Sequence, residues 1–195
     1  MCSKFLGEPQ KAIQDFKDTI KANDKYFKAY IELARLLNKS EKSQPKELID
    51  LYTNAIDLLE GGNVSDEDKP DSDSSTAFIY FERGVQYNKM ENYEKAVADF
   101  SKAIEFDSNF VDAYFNRALI YRRFLSQLDK SLADIERVIE MDPSDTSALL
   151  ERGLCLYELD RLPDAKAQFE KVLALDSSNE AAKRFLEHIE GGQEE

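Results

Sequence analysis

Glycine and proline are scarce in this sequence, 7 and 5 in 195 residues, and tryptophan is absent. A turn-rich β architecture uses both residues at its reversals, so their scarcity points to long regular elements joined by few turns. No stretch approaches 18 consecutive apolar residues, which excludes a helical membrane span. The segment from Met1 to Gln10 lacks a basic region followed by an apolar run, so no secretory signal is visible. Cysteine is limited to Cys2 and Cys155, and histidine to His188. These residues can assemble neither a disulfide framework nor a zinc site, so no metal and no cofactor is expected. Reduced thiols suit a cytoplasmic or nuclear compartment, where the sequon Asn63-Val64-Ser65 would stay unglycosylated.

Positive charge is also in short supply. The chain carries 26 basic and 39 acidic residues, a net charge of −13. Nucleic acid and anionic membrane are disfavoured as partners, because binding to either rests on a basic footprint. The excess is uneven. Residues 1–60 balance 10 basic against 10 acidic residues, residues 61–76 hold 1 against 5, and residues 77–195 hold 15 against 24.

What the sequence does have is a repeat. A small residue recurs inside a helical pattern at Gly84, Ala118 and Gly153, and closing turns recur at Asp107-Ser108, Asp142-Pro143 and Asp176-Ser177. Around the small residues the three copies read Tyr80-x2-Arg83-Gly84-x2-Tyr87, Tyr114-x2-Arg117-Ala118-x2-Tyr121 and Leu149-x2-Arg152-Gly153-x2-Leu156. Each is followed by a second pair, Ala96-x3-Phe100, Ser131-x3-Ile135 or Ala165-x3-Phe169. Two helices cross closely only where a side chain is nearly absent, and a bulky residue one turn away fills the flanking space. An arginine precedes each small residue; its stem can pack while its head reaches water.

This pattern resembles the tetratricopeptide repeat (TPR) family. The resemblance implies an all-α fold, a right-handed α-solenoid of antiparallel helix pairs wound into a TPR superhelix. The repeats fall at 77–110, 111–145 and 146–179. Tyr30-x2-Leu33-Ala34-x2-Leu37 with Leu48-x3-Tyr52 gives a degenerate copy at 27–60, and Ala12-x3-Phe16 a partial one at 1–26. Residues 61–76 hold almost nothing apolar and are expected as an acidic disordered linker or loop. Ser65, followed by Asp66, Glu67 and Asp68, is a candidate phosphorylation site there. Residues 180–195 read as a capping helix with Ala182, Phe185, Leu186 and Ile189 on one face, then an acidic tail.

No catalytic residue is assigned, because no phosphate-binding glycine loop, nucleophile elbow or metalloprotease motif occurs. His188 has no evident partner, and Cys155 reads as inert core. In the family, the first helix of each repeat lines a groove that holds a peptide or another protein. The corresponding stripes here are Phe78, Phe81, Val85 and Asn88, then Phe115, Leu119 and Arg122, then Leu150, Leu154 and Tyr157. Either these stripes pack adjacent repeats together or they form an exposed binding face. Lys89, Arg122 and Arg123 lie toward helix C-termini. There they either complement the helix dipole or form a basic island for a partner's acidic group.

A subset of the family clamps the acidic C-termini of heat-shock chaperones with two lysines, two asparagines and an arginine. Asn116 occupies the second-repeat asparagine position. Phe81, Val85, Ser147 and Glu151 occupy the others, and a frame begun at residue 27 gives Ile31, Arg35, Glu82, Asp112 and Asn116. The standard clamp is therefore not expected. The expected role is a non-catalytic interaction module, with a partner that offers apolar side chains and an acidic group. The partial first repeat raises an alternative, a section of a longer or self-associating array (a homo-oligomer). A third reading has the acidic loop or tail occupying the groove.

Overall fold

The computed structural model of the protein describes residues 8–40 and 44–191. Cys2 and the acidic tail Glu194-Glu195 lie outside the described residues. Among those described there are ten α-helices and no strand, and the chain divides into two compact units, one ending at Ser108 and the other starting at Asn109.

The first unit holds α1 (Glu8–Ala22), α2 (Phe27–Asn38), α3 (Pro45–Glu60), α4 (Asp73–Lys89) and α5 (Tyr93–Phe106). Apolar residues at steps of three and four bury one face of α2 through Tyr30, Leu33, Ala34 and Leu37. That face meets Leu48, Tyr52, Ala55 and Ile56 of α3, whose first turn opens on Pro45, where the missing N–H costs nothing. The next pair, α4 and α5, closes over Gly84. A Cβ there would come within 2.9 Å of the Phe100 ring, so only a bare backbone allows the approach.

The second unit holds α6 (Val111–Arg123), α7 (Leu128–Met141), α8 (Thr146–Glu158), α9 (Leu162–Leu175) and α10 (Glu180–Gly191). Gly153 repeats the close approach, with a virtual Cβ 2.6 Å from the Phe169 ring. In α6 the small residue is Ala118, and the residue opposite shrinks from Phe to Ile135. The Ser131 hydroxyl donates to the Ala118 carbonyl at 2.9 Å, and the Cys155 thiol lies 3.3 Å from the same hydroxyl. Helix α10 packs Ala182, Phe185, Leu186 and Ile189 onto the last pair.

The turns repeat as faithfully as the helices. Asp107, Asp142 and Asp176 end α5, α7 and α9 in nearly one extended conformation, with φ of −137°, −136° and −135°. The Asp142 and Asp176 carboxylates each accept the N–H and hydroxyl of a serine two residues on. Inside each repeat the helices are joined through one residue with positive φ: Glu91, Ser126 and Asp160.

Two expectations need correcting. Residues 61–76 are not uniformly structureless. Helix α4 begins at Asp73, capped by the Ser72 hydroxyl, which accepts from the Ser75 N–H at 3.2 Å. Before it, Val64 is buried, and the Ser65 carbonyl accepts the Asp68 and Lys69 N–H groups. An acidic first turn favours the helix end, so the negative charge there supports structure. The second correction concerns the repeated arginines, whose heads are paired with carboxylates instead of standing free in water. Arg83 grips Asp99 with two bonds of 2.8 and 2.7 Å, and Arg117 grips Asp134 at the same distances. Each guanidinium also lies over two tyrosine rings of its own helix. Arg152 has Gln168 in the matching place, reaches Glu136 at 3.2 Å, and leaves its Nε without a hydrogen bond.

Candidate peptide-binding site

The first helices of the N-terminal unit build a cavity. α2 and α4 flank a space of about 920 Å³, closed by Phe16 of α1, Tyr52 of α3 and the segment Lys69–Asp71. Its walls combine aromatic side chains, among them Phe16, Phe27, Tyr52 and Phe78, with charged ones. Phe78 keeps 48 % of its surface exposed at the cavity wall. Such a space has the size of a ligand site.

Three acids line it, Glu32, Asp71 and Glu82, and of these Glu82 is held by neutral donors. Glu82 is partly buried and accepts a hydrogen bond from the Asn38 amide at 3.0 Å. The Tyr52 hydroxyl is a second neutral donor to it. Burial pushes the Glu82 carboxyl above the usual carboxylate range, against the smaller opposing effects of Lys89, Tyr52 and Asn38. Burial also raises the Tyr52 hydroxyl, and the neighbouring Glu82 charge adds to this. Three other charges of the cavity find partners close by, while Lys39 and Asp71 are exposed. Arg35 pairs with Glu32 at 3.3 Å, Lys69 with Asp66 at 2.6 Å, and Lys28 donates to the Glu67 carbonyl.

The second unit treats its arginines differently. Arg122 makes three charge-assisted contacts, two to Glu151 and one of 2.7 Å to Glu158. Arg123 adds a contact of 2.6 Å to the other Glu151 oxygen. The basic island inferred from the sequence is thus matched by two carboxylates and carries no net charge. Alternation along α6 and α8 hides this in the sequence, because the partners lie 29 and 36 positions downstream.

The remaining candidates divide by environment. Phe78 lines the cavity. Phe81 lies 5.5 Å from the Phe100 ring, a contact within the α4–α5 pair, and Val85 and Asn88 are half-buried on α4. Lys89 is exposed and reaches the Gln86 side chain at 3.4 Å. Phe115 packs on the core around Ala118 and Ile135, Leu119 is half-buried, and Asn116 donates to the Asp112 carbonyl at 2.8 Å. Leu150, Leu154 and Tyr157 pack against the core beneath α10. Tyr157 meets Phe185 edge-on, and its hydroxyl lies 2.9 Å from His188 Nδ1, which gives that histidine the partner not evident from sequence. Ser65 is exposed. The sequence reading thus named one residue of the cavity as a groove residue. Glu82, Ile31 and Arg35 appeared there only as failed clamp positions.

Among the described residues no cluster of His, Cys, Asp or Glu could hold a metal, and no helix is long and apolar enough to cross a membrane. Burial pushes the Cys155 thiol up, away from reactivity. The fold is that of a helix-pair repeat protein. Sequence models of the family match as a TPR repeat over residues 84–123 and as a tetratricopeptide repeat over residues 121–180. RNA polymerase II-associated protein 3 of Mus musculus is 28 % identical over 176 residues, which cover 90 % of this chain and 25 % of that protein. The chain therefore spans about a quarter of the length of the curated relatives of that name. The solved structure of the first TPR of Spaghetti (RPAP3) bound to the HSP90 peptide SRMEEVD is 28 % identical, with a TM-score of 0.59. It covers 65 % of this chain and all of that one. The crystal structure of MamA is alike in fold, with a TM-score of 0.72 at 20 % identity, over 89 % of this chain and 92 % of that one. The chain belongs to the tetratricopeptide repeat family. It is an all-α, non-catalytic protein-binding module.

Proposed function

We propose that the chain acts as an adaptor whose N-terminal unit holds a peptide segment of a partner protein in the cavity between α2 and α4. The half-exposed Phe78 on a partly aromatic-walled space carries this reading. A peptide-bound TPR structure among the relatives supports the general mode. The same relative binds an acidic peptide, SRMEEVD, but Glu82 puts a carboxylate where the clamp of such domains has an asparagine. In the frame begun at residue 77, Glu151 stands where the clamp has a basic residue of the third repeat. An acidic chaperone tail is therefore disfavoured by repulsion, which changes the preferred ligand rather than merely weakening binding. An acidic anchor at Arg122 and Arg123 would have to displace Glu151 and Glu158. The partner's contribution is consequently expected to be apolar against Phe78 and Ile31.

Selection of short random peptides on the full chain tests this. Peptides retained by the wild type and lost with Phe78→Asp support the groove. Peptides retained equally by both proteins count against it.

A further inference from the structure

Of the charges that line the cavity of the N-terminal unit, Glu82 is the half-buried acid without a counter-ion. On α2, Arg35 is matched by Glu32, while Lys28 is held by a backbone carbonyl and Lys39 is exposed. On the segment before α4, Lys69 is matched by Asp66, and Asp71 is exposed. Glu82 is half-buried where Asp66 and Asp71 are exposed, and it makes no ion pair among the described residues. From α3 and α2 it meets only the neutral Tyr52 hydroxyl and Asn38 amide, and Lys89 on its own helix acts on it only through the electrostatic field. A carboxylate offers about four acceptor sites, so two neutral donors leave room for a bidentate ligand.

Removing a carboxylate from water is costly unless a cation is supplied. The cavity that Glu82 lines also holds the rings of Phe16, Phe27, Tyr52 and Phe78, and aromatic faces attract cations through their quadrupoles. We infer that Glu82 receives a lysine or arginine side chain of the bound segment, inserted along the aromatic rings of the cavity. This rests on the peptide-groove reading above and specifies its ligand. The ligand is opposite in charge to the acidic peptide of the bound relative. The upward shift of the Glu82 carboxyl fits a charge waiting for its counter-ion.

The test uses the full chain and three peptide libraries with shared random flanks and a central lysine, norleucine or glutamate. The lysine library should be retained about tenfold better than the other two, as a charge-assisted hydrogen bond warrants. Glu82→Gln should lower lysine binding to the norleucine level, and Phe78→Ala should weaken all binding. Lysine-peptide affinity should fall as pH drops through the Glu82 titration, with a flat profile in Glu82→Gln. Equal retention of lysine and norleucine, both dependent on Phe78, would overturn the cation site and leave the groove standing. Preference for glutamate that grows at low pH would overturn it too, by making protonated Glu82 a donor to a partner carboxylate. Retention indifferent to Phe78→Ala would defeat both the groove and the inference.

Discussion

Arg122 of α6 and Glu151 of α8 meet at 2.7 Å with only 11 % and 8 % of their side chains exposed. Arg123 joins the same carboxylate and Glu158 the same guanidinium, so the four charges form one closed network. Breaking a buried pair from one side strands the other charge, at about 3–5 kcal/mol. Arg122→Glu with Arg123→Glu is therefore expected to destabilise the second unit, seen as an earlier urea midpoint by circular dichroism. A double-mutant cycle of Arg122→Ala and Glu151→Ala should show strong coupling. Additive losses would mean the network is not closed as described.

Gln168 occupies the place held by Asp99 and Asp134 in the other two repeats, and both its Oε1 and the Arg152 Nε lack hydrogen bonds. Gln168→Asp should supply the missing carboxylate. A net gain of about 1 kcal/mol would appear as a rise of about 2–4 °C in Tm. A fall in Tm would show that Arg152 cannot turn toward α9.

Gly153 and Phe169 approach so closely that a Cβ would meet the ring at 2.6 Å. Gly153→Ala should cost about 1–3 kcal/mol by overpacking. The second repeat shows the remedy, since Ala118 there faces Ile135. Adding Phe169→Ile to Gly153→Ala should recover most of the loss in a denaturation series.

Much of the fold is legible in the sequence. The recurrence of Gly84, Ala118 and Gly153 fixes where helices cross, because the need for a small residue is local and steric. The turns at Asp107, Asp142 and Asp176 follow for the same reason. The site was far less legible. Leu150, Leu154 and Tyr157 share a stripe with Phe78, but α10 packs beneath the last pair and its residues contact that stripe. One helix face cannot reveal which neighbour covers it. The roles of Arg83 and Arg117 had a signal that went unused, the aspartate three residues after Ala96 and Ser131. Glu82 gave no such signal, since its isolation depends on how Arg35, Lys28 and Lys69 find other partners.

Glu82 also sets a pH dependence. Its folded pKa lies above the unfolded value because burial penalises the charge. Ionisation in the folded state is thus a cost, absent below the unfolded pKa and complete above the folded one. Glu82→Gln should accordingly raise stability at neutral pH, with the advantage fading as pH falls through that window. Urea titrations of both proteins across acid pH measure it. An advantage that stays constant with pH would rule out Glu82 ionisation as its source.

Residue-resolved NMR titration of the full chain with peptides from the lysine library tests the binding site most directly. A segment seated in the N-terminal cavity should shift the signals of Ile31, Arg35, Phe78 and Glu82, leaving Leu119, Arg122 and Arg123 in place. Shifts centred on Arg122 and Arg123, with none at Phe78 or Glu82, would contradict it.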